Sequence, residues 1–189
     1  MLKLLIIVAS TREGRKGLPV ANWIESEIRK DADWDVSKVD LKTLNLPMLD
    51  EPEHPRLGNY HFAHTKAWSA IIDAADAFVL VTPEYNYFAP PAIVNAIDYL
   101  SREWAYKPMG FVSYGGISGG TRSVQAIKPL VTSVKVMPLP EGVYIPFFTQ
   151  MINEEGKFVP NPPTEAGAAT MLSELKKWAR ALQPMRQPG

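Results

Sequence analysis

Ala77-Phe78-Val79-Leu80-Val81-Thr82-Pro83-Glu84-Tyr85-Asn86-Tyr87 is the stretch on which the fold turns. Its first residues form a continuous apolar and β-branched run without polar alternation, as a strand covered on both faces requires. Pro83 ends the run, and Ala89-Pro90-Pro91 closes the loop behind it. On both sides the spacing becomes helical: Trp68, Ile71, Ile72 and Ala75 before it, Ile93, Ile97, Leu100 and Trp104 after it. A short buried strand between two amphipathic helices is the repeating unit of a parallel sheet with crossover helices.

The same alternation extends outward. Lys3–Ala9 reads as a second continuous buried run, followed by a helix from Pro19 carrying Val20, Trp23, Ile24 and Ile28 on one face. Trp34–Asp40 alternates as a half-exposed strand. Residues 43–60, with Pro47, Pro52 and Pro55, form a long loop of the kind that is usually functional or mobile. Toward the C-terminus, Met109–Tyr114 is a strand and Val124, Ile127, Val131 and Val134 mark a helix that Pro129 should kink. A fifth strand lies within Lys135–Tyr144, interrupted by Pro138 and Pro140. A proline-flanked excursion follows, then a last helix through Leu172, Leu175, Trp178 and Leu182, with Thr164 as its expected N-cap and a fraying tail over Gln183–Gly189. The expectation is one domain spanning 1–189, an α/β sandwich with a five-stranded parallel sheet.

Composition narrows the chemistry. The 189 residues carry 20 Lys+Arg and 20 Asp+Glu, and this balance excludes a binder of nucleic-acid backbones or of membrane surfaces, each of which needs charge of one sign. There are no cysteines, which removes disulfides, thiolate-held metals and dithiol redox chemistry. Any electron transfer must therefore use a bound cofactor. The longest apolar run, Leu4–Ala9, is far short of the roughly 20 residues of a membrane span, and the expected location is cytoplasmic.

Three loops at expected carboxyl ends of strands carry unusual chemistry, and that edge is where open α/β sheets bind ligands. Ser10-Thr11-Arg12-Glu13-Gly14-Arg15-Lys16-Gly17 offers hydroxyls, three cations and glycines beside a helix N-terminus, an anion cradle that matches neither the Walker nor the Gly-x-Gly-x-x-Gly pattern. Pro83-Glu84-Tyr85-Asn86-Tyr87 pairs a rigid proline with aromatics, a carboxylate and an amide, suited to stacking on a planar ring and bonding its edge. Ser113-Tyr114-Gly115-Gly116-Ile117-Ser118-Gly119-Gly120 places four glycines where a backbone must approach something closely. Gly116-Ile117-Ser118-Gly119-Gly120 also fits the nucleophile elbow Gly-x-Ser-x-Gly, but His54, His61 and His64 all precede it, so the order Ser…Asp…His of that elbow is impossible. For zinc, His61 and His64 would need a third and fourth ligand, and nearby Asp50, Glu51 and Glu53 lie in the mobile-looking loop, so the two read as surface histidines at a loop–helix junction.

Together the loops describe a ligand with a phosphate at the first strand and a flat polar ring between the third and fourth, the outline of flavin mononucleotide (FMN). At these residues the chain resembles the NADPH-dependent FMN reductase family, the flavodoxin-like quinone, azo-dye and chromate reductases. Ser10-x-Arg12 resembles the family's phosphate loop. Pro83-Glu84-Tyr85-Asn86 with Pro90 and Asn95-Ala96-Ile97-Asp98 resembles its most specific motif, and Ser113-Tyr114-Gly115-Gly116 with Gly119-Gly120-x-Arg122 its third. Val94 stands where the family commonly has lysine, and Arg15, Lys16 and Gly17 replace the serine and asparagine often found after the arginine.

The resemblance implies a flavodoxin-like three-layer sandwich with strand order 2-1-3-4-5. It implies that Ser10, Arg12, Arg15 and Gly17 hold the phosphate, that Pro83, Glu84, Tyr85 and Asn86 line the isoalloxazine, and that Ser113, Tyr114, Gly115 and Gly116 contact the pyrimidine edge. It further implies a ping-pong reductase in which NADPH, or NADH, passes hydride to FMN and a small-molecule acceptor such as a quinone, flavin or azo compound is reduced in turn, by a homodimer or homotetramer. No protein nucleophile or base is then required, because the cofactor carries the chemistry. The rival from another class is an FMN-binding electron carrier or redox-sensing module; the absence of a net acidic charge counts against it.

Overall fold

The computed structural model describes residues 1–186. In chain order the elements are β1 (Leu2–Val8), α1 (Leu18–Ile28), β2 (Trp34–Asp40), α2 (Leu41–Leu44), α3 (Ala63–Asp73), β3 (Ala77–Pro83), α4 (Pro91–Asp98), β4 (Pro108–Tyr114), α5 (Thr121–Ser133), β5 (Met137–Ile145) and α6 (Pro162–Leu182). The strands form one sheet in the order β2-β1-β3-β4-β5, and every pairing is parallel. Every residue of β3 and β4 is buried.

Alternation along the strands divides the core into two layers. Leu4, Ile6 and Val8 of β1 with Val79 and Val81 of β3 face α1 and α6, where Ile24, Ile28, Met171 and Leu175 meet them. Leu5, Ile7, Phe78, Leu80 and Phe111 face α3, α4 and α5, where Trp68, Ile93, Ile97 and Ile127 complete the second layer. With helices on both faces, the strands need no polar alternation, which is why they read as unbroken apolar runs. Buried Trp68 donates its indole N–H to the Ala96 carbonyl at 2.8 Å, so this ring is enclosed with its donor satisfied.

Four local expectations are corrected. The helix beginning at Pro91 stops at Asp98; Ser101 leaves helical dihedrals, and a 3-10 turn over Arg102–Trp104 returns Trp104 to the core. The apolar spacing survives the break because the turn still feeds the same layer. β5 runs unbroken through Pro138 and Pro140: it is an edge strand, and its register slips between the Met109 and Phe111 pairings, where the missing N–H groups cost no ladder bond. The N-cap of α6 is Asn161, whose side-chain oxygen accepts from Thr164 N at 3.0 Å and from Thr164 Oγ1 at 2.7 Å. Gln183–Arg186 forms a 3-10 turn that places Arg186 against Asp76, while residues 187–189 of the expected fraying tail lie outside the described residues. α5 runs continuously from Thr121 to Ser133 with Pro129 inside it.

The long loop is pinned. Asn95 accepts from Leu49 N at 2.9 Å and donates to the Pro47 carbonyl at 2.7 Å, and the Tyr99 hydroxyl donates to Asp50 at 2.9 Å. Glu51 accepts the amides of His61 and Phe62 at the start of α3. His61 and His64 pair with Glu53 and Asp50, and no metal-holding cluster occurs among the described residues. Among the described residues, no helix is long and apolar enough to cross a membrane.

Replacing Asn161 by Ala removes the cap of the longest helix and should lower stability by about 1 kcal/mol, or about 2–4 °C in Tm. Thermal unfolding of N161A beside N161D, which retains the acceptor, measures it.

Candidate functional site

The carboxyl ends of β1, β3, β4 and β5 open into a cleft of about 510 Å³. It falls in the range of small-molecule sites. A larger hollow, about 980 Å³, lies at the opposite ends of the strands and shares no lining residue with it.

The first wall is the loop between β1 and α1. None of the backbone N–H groups of residues 11–17 donates to an acceptor among the described residues. α1 begins behind Gly17 with no side-chain cap, and Pro19 in its first turn has no N–H to satisfy. Successive unpaired amides at an uncapped helix N-terminus form an anion site. Buried Ser10 joins this wall to the next through a 2.6 Å hydrogen bond between its Oγ and the Tyr85 hydroxyl.

The cations here divide into two kinds. Arg15 donates to Ser10 O at 2.6 Å and to Asp40 Oδ1 at 2.8 Å, and its second nitrogen pairs with Asp40 Oδ2. Its charge is thus paired with the end of β2, while its side chain, expected to hold the phosphate, lines the cleft. Arg12 and Lys16 are exposed, line the same cleft and have no carboxylate partner among the described residues; Arg12 lies 5.5 Å from the Tyr85 ring centroid.

The second wall is Pro83–Tyr85. Tyr85 and Phe88 exchange backbone hydrogen bonds of 2.9 Å each, closing a two-residue hairpin over Asn86 and Tyr87, whose φ values of 50° and 67° are the left-handed pair such a turn requires. Asn86 is therefore turned out to solvent and does not line the cleft. The Arg122 guanidinium sits 3.8 Å from the ring centre of Tyr87, holding an aromatic residue in a conformation it rarely adopts.

Glu84 lines the cleft, but its carboxylate is occupied. Oε1 accepts from Arg122 Nε at 2.6 Å; Oε2 accepts from Ser118 Oγ at 2.8 Å and from the Arg122 amide at 3.1 Å. Burial opposes its ionisation, yet these donors outweigh burial and hold the carboxyl below its usual range. Glu84 is thus a clamp between the loops after β3 and β4, and Ser118, the serine of the elbow-like sequence, is one of its jaws.

The third wall is Tyr114–Gly116. A Cβ on Gly116 would meet nothing within 4 Å, leaving room for close approach from the cleft. Gly120, at φ 84°, has no such room: a Cβ there would come within 2.7 Å of Ser113 Cβ. Ser113 is buried below this loop and donates to the Gly119 carbonyl at 2.8 Å, so it shapes the wall without lining it. Gly17 likewise acts from beneath, since a Cβ on it would overlap the Tyr114 hydroxyl. That hydroxyl is buried and without a hydrogen-bond partner among the described residues, and burial, then Tyr85, raises its pKa.

A fourth wall, Phe147–Thr149, escaped the sequence reading. Phe147 N donates to Gly116 O at 3.0 Å, and the Phe148 ring packs 4.7 Å from that of Tyr114. Its one signal was position: Pro146-Phe147-Phe148 directly follows the fifth strand, at the edge where ligands gather.

The comparisons bear on this cleft. The family profile for NADPH-dependent FMN reductase matches residues 2–150. The chain belongs to that family. An NAD(P)H-dependent FMN reductase of Schizosaccharomyces pombe is 37% identical over 177 residues, covering 93% of this chain and 86% of that protein. A 2-hydroxy-1,4-benzoquinone reductase of a Burkholderia species is 27% identical, covering 95% and 97%. Among solved structures, the flavoenzyme NAD(P)H:(acceptor) oxidoreductase of Paracoccus denitrificans superposes with a TM-score of 0.69 at 19% identity, covering 97% and 98%. Membership makes the FMN reductase family chain an oxidoreductase that works with FMN and a reduced nicotinamide.

The residues fit FMN: unpaired amides and two free cations suit a phosphate, the orphaned Tyr114 hydroxyl awaits a partner, and Gly116 leaves space for a ring.

Because the Glu84 pKa is lowered on folding, the clamp's contribution is present above about pH 4.5, the unfolded carboxyl's value, and is lost as pH falls through the folded value. Glu84→Gln should cost about 2 kcal/mol at pH 7 and flatten the acid limb of stability, as read by urea unfolding at pH 7 and pH 3.5.

Proposed function

We propose that the cleft holds FMN with its phosphate on the amides of residues 11–17 and its ring between Tyr85 and Gly115–Gly116, serving a reductase of quinones and similar planar acceptors. The observation that carries this reading is the run of unpaired amides over 11–17, flanked by Arg12 and Lys16, at the same end of the sheet as the open face of Gly116. Bound there, FMN would accept hydride from NADPH or NADH and pass it to the second substrate in ping-pong order.

The chain's own part is binding, orientation and electrostatics. Amides 11–17 bind the phosphate's oxygens without reorganising, since no internal acceptor competes for them. Arg12 adds charge, and its place near the Tyr85 ring keeps the guanidinium at the cleft. Arg15 positions the loop by tying Ser10 O to Asp40. The Glu84 clamp keeps the second and third walls at one separation, so a ring between them is held in one plane. The Gly116 amide donates to no described acceptor and is available to stabilise negative charge on a ring edge.

The loops after β3, β4 and β5 that carry the cleft also hold exposed apolar side chains: Tyr87 at 71%, Phe88 at 54%, Ile117 at 81% and Phe147 at 49% exposure. Apolar groups gathered this way mark a contact surface, and we assign them to the homodimer or homotetramer that covers the site.

Purified protein should be yellow, should bleach with NADPH in the absence of oxygen, and should recover its colour on adding a quinone. A colourless protein that takes up no FMN overturns the proposal; a yellow one unbleached by NADPH or NADH identifies an electron carrier instead. Arg12→Ala should weaken FMN binding by about 10–100-fold with no change in apoprotein Tm. Arg15→Ala should lower both, because it also releases Asp40.

A further inference from the structure

The hollow of about 980 Å³ at the amino ends of β3, β4 and β5 has a composition unlike the rest of the molecule. Arg56, Arg102, Lys107, Lys135 and Arg186 line it against two carboxylates, Asp73 and Asp76, an excess of three positive charges in a chain whose formal net charge is zero. Asp76 is already committed, accepting the Lys3 amide at 2.7 Å and Arg186 Nη1 at 2.8 Å.

Two of the cations form the floor. Lys107 is 4% exposed and donates to the carbonyls of Ile72 at 2.8 Å and Asp73 at 2.9 Å, at the C-terminal end of α3. Nε and Nη2 of Arg186 are buried and find no acceptor among the described residues. These two groups form one edge of the guanidinium, the edge that grips two oxygens of a phosphate side by side. Arg186 belongs to the short turn Gln183–Arg186, which lines the hollow together with Gln183 and Met185. Burial, against the attraction of Asp73 and with the repulsion of Arg186, draws the Lys107 pKa down to about 8.

Arg56, Arg102 and Lys135 are exposed at the rim. Lys135 and Tyr106 both adopt left-handed backbone, at φ 63° and 60°, joined by a 2.9 Å hydrogen bond from Tyr106 N to Lys135 O. This strained pair presents a flat ring and an ammonium group 5.2 Å apart on the same wall.

We propose that this hollow is a second ligand site, separate from the cofactor cleft, that binds a small polyphosphate: either inorganic pyrophosphate or the diphosphate of a nucleoside diphosphate whose base lies on Tyr106. The cation excess matches the charge of a diphosphate group near neutral pH, and the hollow is large enough for a nucleotide. The inference does not depend on the identity of the ligand in the cleft.

The test is isothermal titration of the full chain, saturated with FMN so that the amides of residues 11–17 are not free to bind the probe, with inorganic pyrophosphate and, separately, with ADP. Binding at a site set by these cations should weaken about tenfold or more in the double variant Arg56→Gln/Lys135→Gln, whose rim side chains support no core packing. It should be unchanged in Arg12→Ala, titrated at an FMN concentration raised until absorbance shows that variant's cleft to be full. Equal affinities for the two probes identify inorganic polyphosphate as sufficient; tighter ADP binding that Tyr106→Ala reduces to the pyrophosphate level identifies the nucleotide. Failure of both probes to bind at millimolar concentration overturns the proposal, as does binding lost in Arg12→Ala but kept in the rim variant. Because flavin loading is read separately by absorbance, a failure here is distinct from a failure of the cofactor reading.

Discussion

Parallel strands buried on both faces are the constraint from which the rest of the molecule follows. With β3 and β4 wholly enclosed between two layers of helices, no polar side chain within those strands has room for chemistry. Polar groups collect at the strand ends instead, and because all five strands run the same way, the loops fall into two sets at opposite edges of the sheet. One edge gathers the loops after β1, β3, β4 and β5 into the cleft of about 510 Å³. The other gathers the connections leading into β3, β4 and β5 around a cationic hollow.

At the cleft, internal pairing decides which charged groups remain available. Arg15 is neutralised by Asp40 and Glu84 by Arg122, with Ser118 donating a further hydrogen bond to Glu84. Each pair joins separate loops, so its effect is to hold walls in register. Arg12, Lys16 and the amides of residues 11–17 are left for a ligand. A site that uses some charges for rigidity and keeps others unspent is preorganised: its donors are in place before the ligand arrives, with little reorganisation left to oppose binding.

Much of this was legible in the residues themselves. The unbroken apolar run Ala77–Val81, the helical spacing around it and the three polar loops led to the architecture and to the edge where the cleft lies. Nine of the twelve expected site residues line the cleft: Ser10, Arg12, Arg15, Pro83, Glu84, Tyr85, Tyr114, Gly115 and Gly116. Gly17, Ser113 and Asn86 do not, for reasons of direction and depth. Gly17 and Ser113 lie beneath the walls they shape, and the Asn86 side chain is turned outward by the left-handed hairpin. Phe147 and Phe148 were missed because an aromatic pair after a strand looks the same in sequence whether it lines a site or packs a core.

Local periodicity and loop chemistry, then, determined the strands, the family resemblance and the edge at which a phosphate and a flat ring would sit. These are properties of neighbouring residues, and a 2- or 3.6-residue period is written along the chain. The tertiary structure alone decided which cations are free, which walls close the cleft and that a second basic hollow exists at the far edge. Those outcomes depend on distances between residues remote in sequence, such as the 25 positions between Arg15 and Asp40 and the 34 between Glu84 and Ser118. A charge's partner is set by where the fold brings it, and no spacing along the chain records that.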